Sequence, residues 1–192
     1  AYRGVDPQIY LMDADGKNRR SLTPQGATDF APAFSPDGKK VAFSSNRSGA
    51  ADSDVWIMNA DGSGRVDVTN QAGEDSLVAW SPDGKKMAFI STRDGGPDVF
   101  VMNADGTEQA NLTQSYGFGE NYSPNWSPDG KQIVYSSNLE GQSQIYIMNV
   151  DGTEPHIVGQ PPAPPPTPVP APTATPAPGS TPALTPTPIP TP

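Results

Sequence analysis

Apolar positions in this chain come in short runs with turn residues between them. Leu77-Val78-Ala79-Trp80-Ser81, Met87-Ala88-Phe89-Ile90 and Val99-Phe100-Val101-Met102 are rich in strand formers, and Glu108 to Thr113 is a weaker, more polar fourth stretch. Pro82-Asp83-Gly84 separates the first two runs. Pro presets the first turn torsion, Asp tolerates the second and Gly supplies a positive φ, so a tight hairpin is predicted. Arg93 to Pro97 is a second turn region, and Asp105-Gly106 reads as a type I′ hairpin turn. The pattern predicts four antiparallel strands in a meander.

The pattern repeats. Ser-Pro-Asp-Gly-Lys begins at Ser35, Ser81 and Ser127, a period of 46 residues. A second phrase runs in step with it, at Tyr10 to Gly16, Trp56 to Gly62, Phe100 to Gly106 and Tyr146 to Gly152. A period near 45 with several strands per repeat predicts the blades of a β-propeller. The third strand of each repeat has no polar alternation and is expected to be buried on both faces, which sheets stacked around an axis provide. The first strand is expected to be short and nearest the axis, the fourth to form the outer edge.

The fold class is therefore all-β: about three and a half four-stranded antiparallel blades. The expected boundaries within residues 1–159 are a half blade at 7–23 and blades at about 28–69, 74–113 and 120–159. Closed propellers have four to eight blades. The chain is expected not to close by itself, and open blade faces make self-association a possible outcome. It also begins in mid-repeat, which reads as a processed, truncated or cloned start.

Composition changes this picture at one place. Residues 160–192 carry no charge, and 15 of these 33 residues are proline. Proline fixes φ and removes donors, so a disordered polyproline-like tail is expected, reaching on the order of 100 Å at about 3.1 Å per residue. Such Thr-Pro tracts suit stalks outside the cytoplasm. The rest holds the whole net charge of −9, which would repel a phosphate backbone and argues against nucleic acid as a partner. No apolar run approaches the roughly 20 residues of a membrane span. The chain has no cysteine, hence no disulfide or thiolate metal site.

The combined phrase Pro-x-(Trp/Phe)-Ser-Pro-Asp-Gly-Lys, Ala-Phe-x-Ser, (Tyr/Trp/Phe)-x-Met-Asn-Ala-Asp-Gly-(Ser/Thr) and Leu-Thr resembles the repeats of TolB-type β-propellers. Pro32 to Lys39, Trp80 to Lys85 and Pro124 to Lys131 carry the first part, with Val78 in place of the leading Pro in the second copy. The resemblance implies a six-bladed family in which TolB itself is a periplasmic adaptor for a peptidoglycan-associated lipoprotein and for disordered peptides. It also extends to propellers that precede the hydrolase domain of prolyl-oligopeptidase-type peptidases, and to sugar lyases.

Candidate chemistry is sparse. The Asp-Gly pairs lack the spacing and closing Glu of a calcium loop and are explained by turns. His156 is the only histidine and lacks triad partners. The sequons at Asn46, Asn111, Asn121 and Asn125 read as silent. No cofactor is expected. Superposing the repeats aligns Asp29, Asp75 and Asn121 at the start of the first strand and Arg47, Arg93 and Leu139 after the second. Both charges disappear together in the last copy, as a pair would require. One reading is a cross-strand pair at the blade rim, worth about 0.2 to 1 kcal/mol where exposed. The other is a polar ring at the channel mouth that binds a partner.

The sequence thus predicts a non-enzymatic extracytoplasmic scaffold for a protein, peptide or glycan. The alternative is the accessory propeller of a peptidase or polysaccharide lyase. The Pro-Thr tail in place of a hydrolase domain favours the scaffold.

Overall fold

The computed structural model describes residues 7–49, 52–114 and 119–160. Of the tail expected over 160–192, all but Gln160 lies outside them. The described residues form strands and turns throughout, with no helix long and apolar enough to cross a membrane. A two-stranded sheet pairs β1 (Tyr10–Leu11) with β2 (Arg20–Ser21). Three four-stranded meanders follow. The first blade runs β3 (Asp29–Phe34), β4 (Lys40–Ser45), β5 (Asp54–Asn59) and β6 (Val66–Asp67). The second runs β7 (Asp75–Trp80), β8 (Lys86–Ser91), β9 (Asp98–Asn103) and β10 (Ala110–Asn111). The third runs β11 (Asn121–Trp126), β12 (Gln132–Ser137), β13 (Gln144–Asn149) and β14 (His156–Ile157).

The short strand is the fourth, two residues in every copy, and the first is a full six. A bulge interrupts each first strand. Phe30 pairs with Ser44 and Ala33 with Ala42, so Ala31 and Pro32 together face Phe43. Leu77 and Val78 face Phe89 in the same way, and Ser123 and Pro124 face Tyr135. The first bulge residue is left-handed each time, with φ of 48° at Ala31, 54° at Leu77 and 52° at Ser123. None is a glycine, so each carries a backbone cost that its surroundings must hold in place.

The Asp105-Gly106 turn is not type I′. That turn needs positive φ at both central residues, and here Gly106 (φ 88°) and Glu108 (φ 54°) are left-handed while Ala104 and Asp105 are not. The Gly106 N–H donates to the Asn103 carbonyl at 2.9 Å. Asp105 instead accepts from the Thr107 N–H at 3.0 Å and its hydroxyl at 2.6 Å, which fixes the carboxylate outside the turn centre.

Burial is deepest on the second strands. Val41 to Ser45 and Met87 to Ser91 are buried without a break, although the serines hide this in the sequence. Phe43 and Phe89 have no exposure, and burying each contributes about 1.5 to 3 kcal/mol. The third strand β9 is buried as expected, but Tyr10 of β1 and Ile145 of β13 are 46% and 51% exposed. Among the described residues no further blade covers those two outer surfaces, so the same apolar pattern meets solvent there.

Neighbouring blades are tied at fixed points. The Trp80 indole N–H donates to the Ala33 carbonyl and Trp126 to Ala79, both at 3.1 Å. The Asp75 N–H donates to the Ser53 carbonyl at 2.6 Å and Asn121 to Pro97 at 2.8 Å. Trp80→Phe keeps most of the apolar contact and strands the Ala33 carbonyl, so it should cost about 1 kcal/mol in urea unfolding.

Candidate binding surface

The three first strands stand side by side at the axis. Between them lies a cleft of about 480 Å³ over Ala31 to Phe34, Pro36, Leu77 to Trp80 and Ser123 to Asn125. No charged side chain lines it, in a chain whose net charge is −9. The bulges put Ala31, Leu77 and Ser123 into this wall, and no glycine or other left-handed signal marked those positions in the sequence.

The candidate Asp and Arg residues sit at one end of the blades. Arg47 Nη2 lies 2.5 Å from Asp29 Oδ2, and Ser45 donates to the other oxygen. Arg93 Nη2 lies 2.7 Å from Asp75 Oδ2. Neither carboxylate has any exposure, and the arginine side chains are only 18% and 15% exposed. The arrangement is therefore interior, not an open rim pair. Arg93 also donates to Ser91 and, at 2.6 Å, to Gln109, whose amide donates to the Val68 carbonyl of the preceding blade. Its guanidinium carbon stands 5.0 Å from the Phe100 ring centre and 5.6 Å from that of Phe89. Burial pushes the Asp75 carboxyl above its ordinary value, against the Ser91 and Thr69 hydroxyls and the Arg93 charge, which pull it down.

Asn121 replaces the pair in the last blade. Its amide donates to the Pro97 carbonyl at 3.2 Å and to Asp98 Oδ1 and Thr113 Oγ1 at 3.3 Å. Leu139, at the arginine position, is 39% exposed. His156 Nδ1 lies 2.8 Å from the Glu154 carbonyl in an exposed setting. Among the described residues no group of three or more His, Asp or Glu side chains is arranged to hold a metal.

The turn aspartates are a separate electrostatic population. Hydroxyls of Ser35, Ser81, Ser127, Ser63, Thr107 and Thr153 hold Asp37, Asp83, Asp129, Asp61, Asp105 and Asp151 below their usual value of 3.8, helped by backbone N–H groups, and Lys17 does this for Asp15. A carboxyl lowered in the folded state stabilises above its unfolded value and loses that contribution as pH falls through its folded value. Asp75 and Asp67, both raised by burial, act in the opposite sense and favour the folded state at low pH. The lowered turn carboxyls predict a urea midpoint that falls as the pH drops below about 4, with Asp75 and Asp67 opposing that fall. Asp83→Asn should make that decline shallower.

The family model for the TolB beta propeller domain matches residues 50–162. A TolB homolog of Chlorobium chlorochromatii is 45% identical over 42 residues, which is 22% of this chain and 10% of that protein. The structure of a putative TolB from Agrobacterium tumefaciens aligns with a TM-score of 0.70 at 27% identity, over 80% of this chain and 55% of that one. Oligogalacturonate lyase from Vibrio parahaemolyticus shares the fold, with a TM-score of 0.58 at 20% identity over 78% of this chain and 43% of that one. The chain thus spans only part of the length of the relatives it matches. Three blades of one repeat, joined by the same indole-to-carbonyl and strand-start hydrogen bonds, together with the match to residues 50–162, place this chain in the TolB beta-propeller domain family.

Proposed function

We propose that this propeller is a non-enzymatic scaffold that works outside the cytoplasm and binds a protein or peptide partner, with a glycan as the other ligand class its surface suits. The observation that carries this reading is the axial cleft. It is walled by bulged strands and holds no carboxylate, histidine, lysine or cysteine, so it offers contact area and hydrogen bonding but no acid–base pair. The TolB-type resemblance supports the extracytoplasmic setting and the adaptor role. The likeness to oligogalacturonate lyase is one of fold, and fold by itself does not carry an activity.

The test passes envelope and secreted proteins of the host cell over the immobilised chain, with parallel assays for cleavage of peptides and of oligogalacturonate. Retention of a discrete protein without turnover is the expected result. Turnover of either substrate by this chain overturns the reading.

A further inference from the structure

Antiparallel meanders sort the connections to two ends. The links between second and third strands, and those between blades, share one end; the hairpins at Ser-Pro-Asp-Gly-Lys and Asn-Ala-Asp-Gly share the other. The first end comprises residues 24–29, 45–49, 52–54, 68–75, 91–98, 112–114, 119–121 and 137–144, with nine carboxylates and two arginines. The second comprises residues 12–20, 34–40, 59–66, 80–86, 103–110, 126–132 and 149–156, with ten carboxylates and nine cations. The excess negative charge of the chain is therefore gathered at one end.

That imbalance is sharper than the count. The two arginines are Arg47 and Arg93, both committed to buried aspartates. Asp52, Glu74, Asp94, Glu120 and Glu140 are exposed there, and no exposed cation accompanies them among the described residues. The same end holds an apolar cleft of about 320 Å³ between the blades. Phe30, Leu77, Ile90, Pro97 and Tyr122 make up its apolar lining, and Ser76, Thr92 and Glu74 complete it. Tyr122 is 41% exposed, so part of its ring is open to a partner, with its hydroxyl toward Glu120. The cleft is sized for a side chain, and the charges around it would repel an acidic partner and attract a basic one.

We infer that the partner docks at this acidic end through an extended segment in which Lys or Arg residues flank an apolar side chain, the latter seated between Phe30, Leu77 and Tyr122. The inference rests on the scaffold reading, adds a contact at this end to that of the axial cleft, and names the chemistry of the partner. A random peptide library displayed on phage, selected against the full chain at low salt, is the test. The enriched peptides should carry Lys or Arg on both sides of an apolar residue. Their affinity, measured by fluorescence anisotropy, should fall about tenfold in the Glu74→Gln/Glu120→Gln double variant and about tenfold in Tyr122→Ala. Glu108→Gln, at the opposite end, should leave it unchanged. Raising the salt to about 0.5 M should weaken binding to the parent chain far more than to the double variant. Peptides enriched without basic residues, or peptides whose affinity ignores all the acidic-end substitutions, overturn the docking inference and leave the scaffold reading in place. Failure to enrich any peptide sinks both for a peptide partner, and binding that survives Tyr122→Ala and a Ser substitution of the apolar residue reduces it to bulk electrostatics.

Discussion

Arg93→Leu should lower the free energy of unfolding by about 3 to 5 kcal/mol, and adding Asp75→Asn should recover more than half of that loss. The first number follows from burial. Asp75 has no exposure, and Arg93 is the cation that compensates it at 2.7 Å. Removing the guanidinium leaves a carboxylate in the interior without an ion partner and also frees Gln109. The recovery follows from the last blade, where the chain itself carries asparagine and leucine at these two positions. Asn121 donates to Asp98 and Thr113, and the corresponding groups facing position 75 are Asp54 and Thr69. An amide at position 75 thus meets acceptors already in place. Urea unfolding of the parent, both single variants and the double variant closes the cycle. Strict additivity would show that the two positions do not act as a pair.

Gly106→Ala should cost about 2 to 5 kcal/mol, whereas Gly16→Ala at the same repeat position should cost about 1 to 2 kcal/mol. Both glycines are left-handed, with φ of 88° and 81°. The difference lies in the preceding blade. A Cβ at Gly106 would stand 2.7 Å from the Val68 carbonyl oxygen and 2.9 Å from its Cβ, while at Gly16 it meets nothing within 4 Å. Gly62 meets the Leu22 carbonyl oxygen at 2.7 Å and should behave like Gly106. Equal costs at positions 16 and 106 would mean that torsion alone demands the glycine and that blade packing plays no part.

What the sequence made legible depended on whether a residue type fixes a torsion. Pro82, Asp83 and Gly84 each restrict one part of a turn, so the hairpin and its recurrence could be read directly. The bulges could not, because Ala31, Leu77 and Ser123 adopt their left-handed backbone under pressure from the sheet and carry no local mark of it. The Asp and Arg positions could be aligned because the repeats serve as internal copies. Their burial depends on the neighbouring blade, which no single repeat contains. Asp105-Gly106 shows the limit of dipeptide rules: the Thr107 hydroxyl and N–H capture the carboxylate and select a different turn. The gathering of charge at one end was hidden for another reason. Acidic residues are spread evenly along residues 1–159, and only the alternating direction of the strands sorts them.

The indole-to-carbonyl links join each blade only to the one before it, Trp80 to Ala33 and Trp126 to Ala79. Cooperativity in such an array passes from neighbour to neighbour and has no single centre. The second blade, flanked on both sides, should exchange its amide hydrogens most slowly, at Met87 to Ile90 and Val99 to Met102. Protection should fall outward on either side, so that the molecule loses structure blade by blade from its ends and its unfolding reports an order of events as well as a single midpoint.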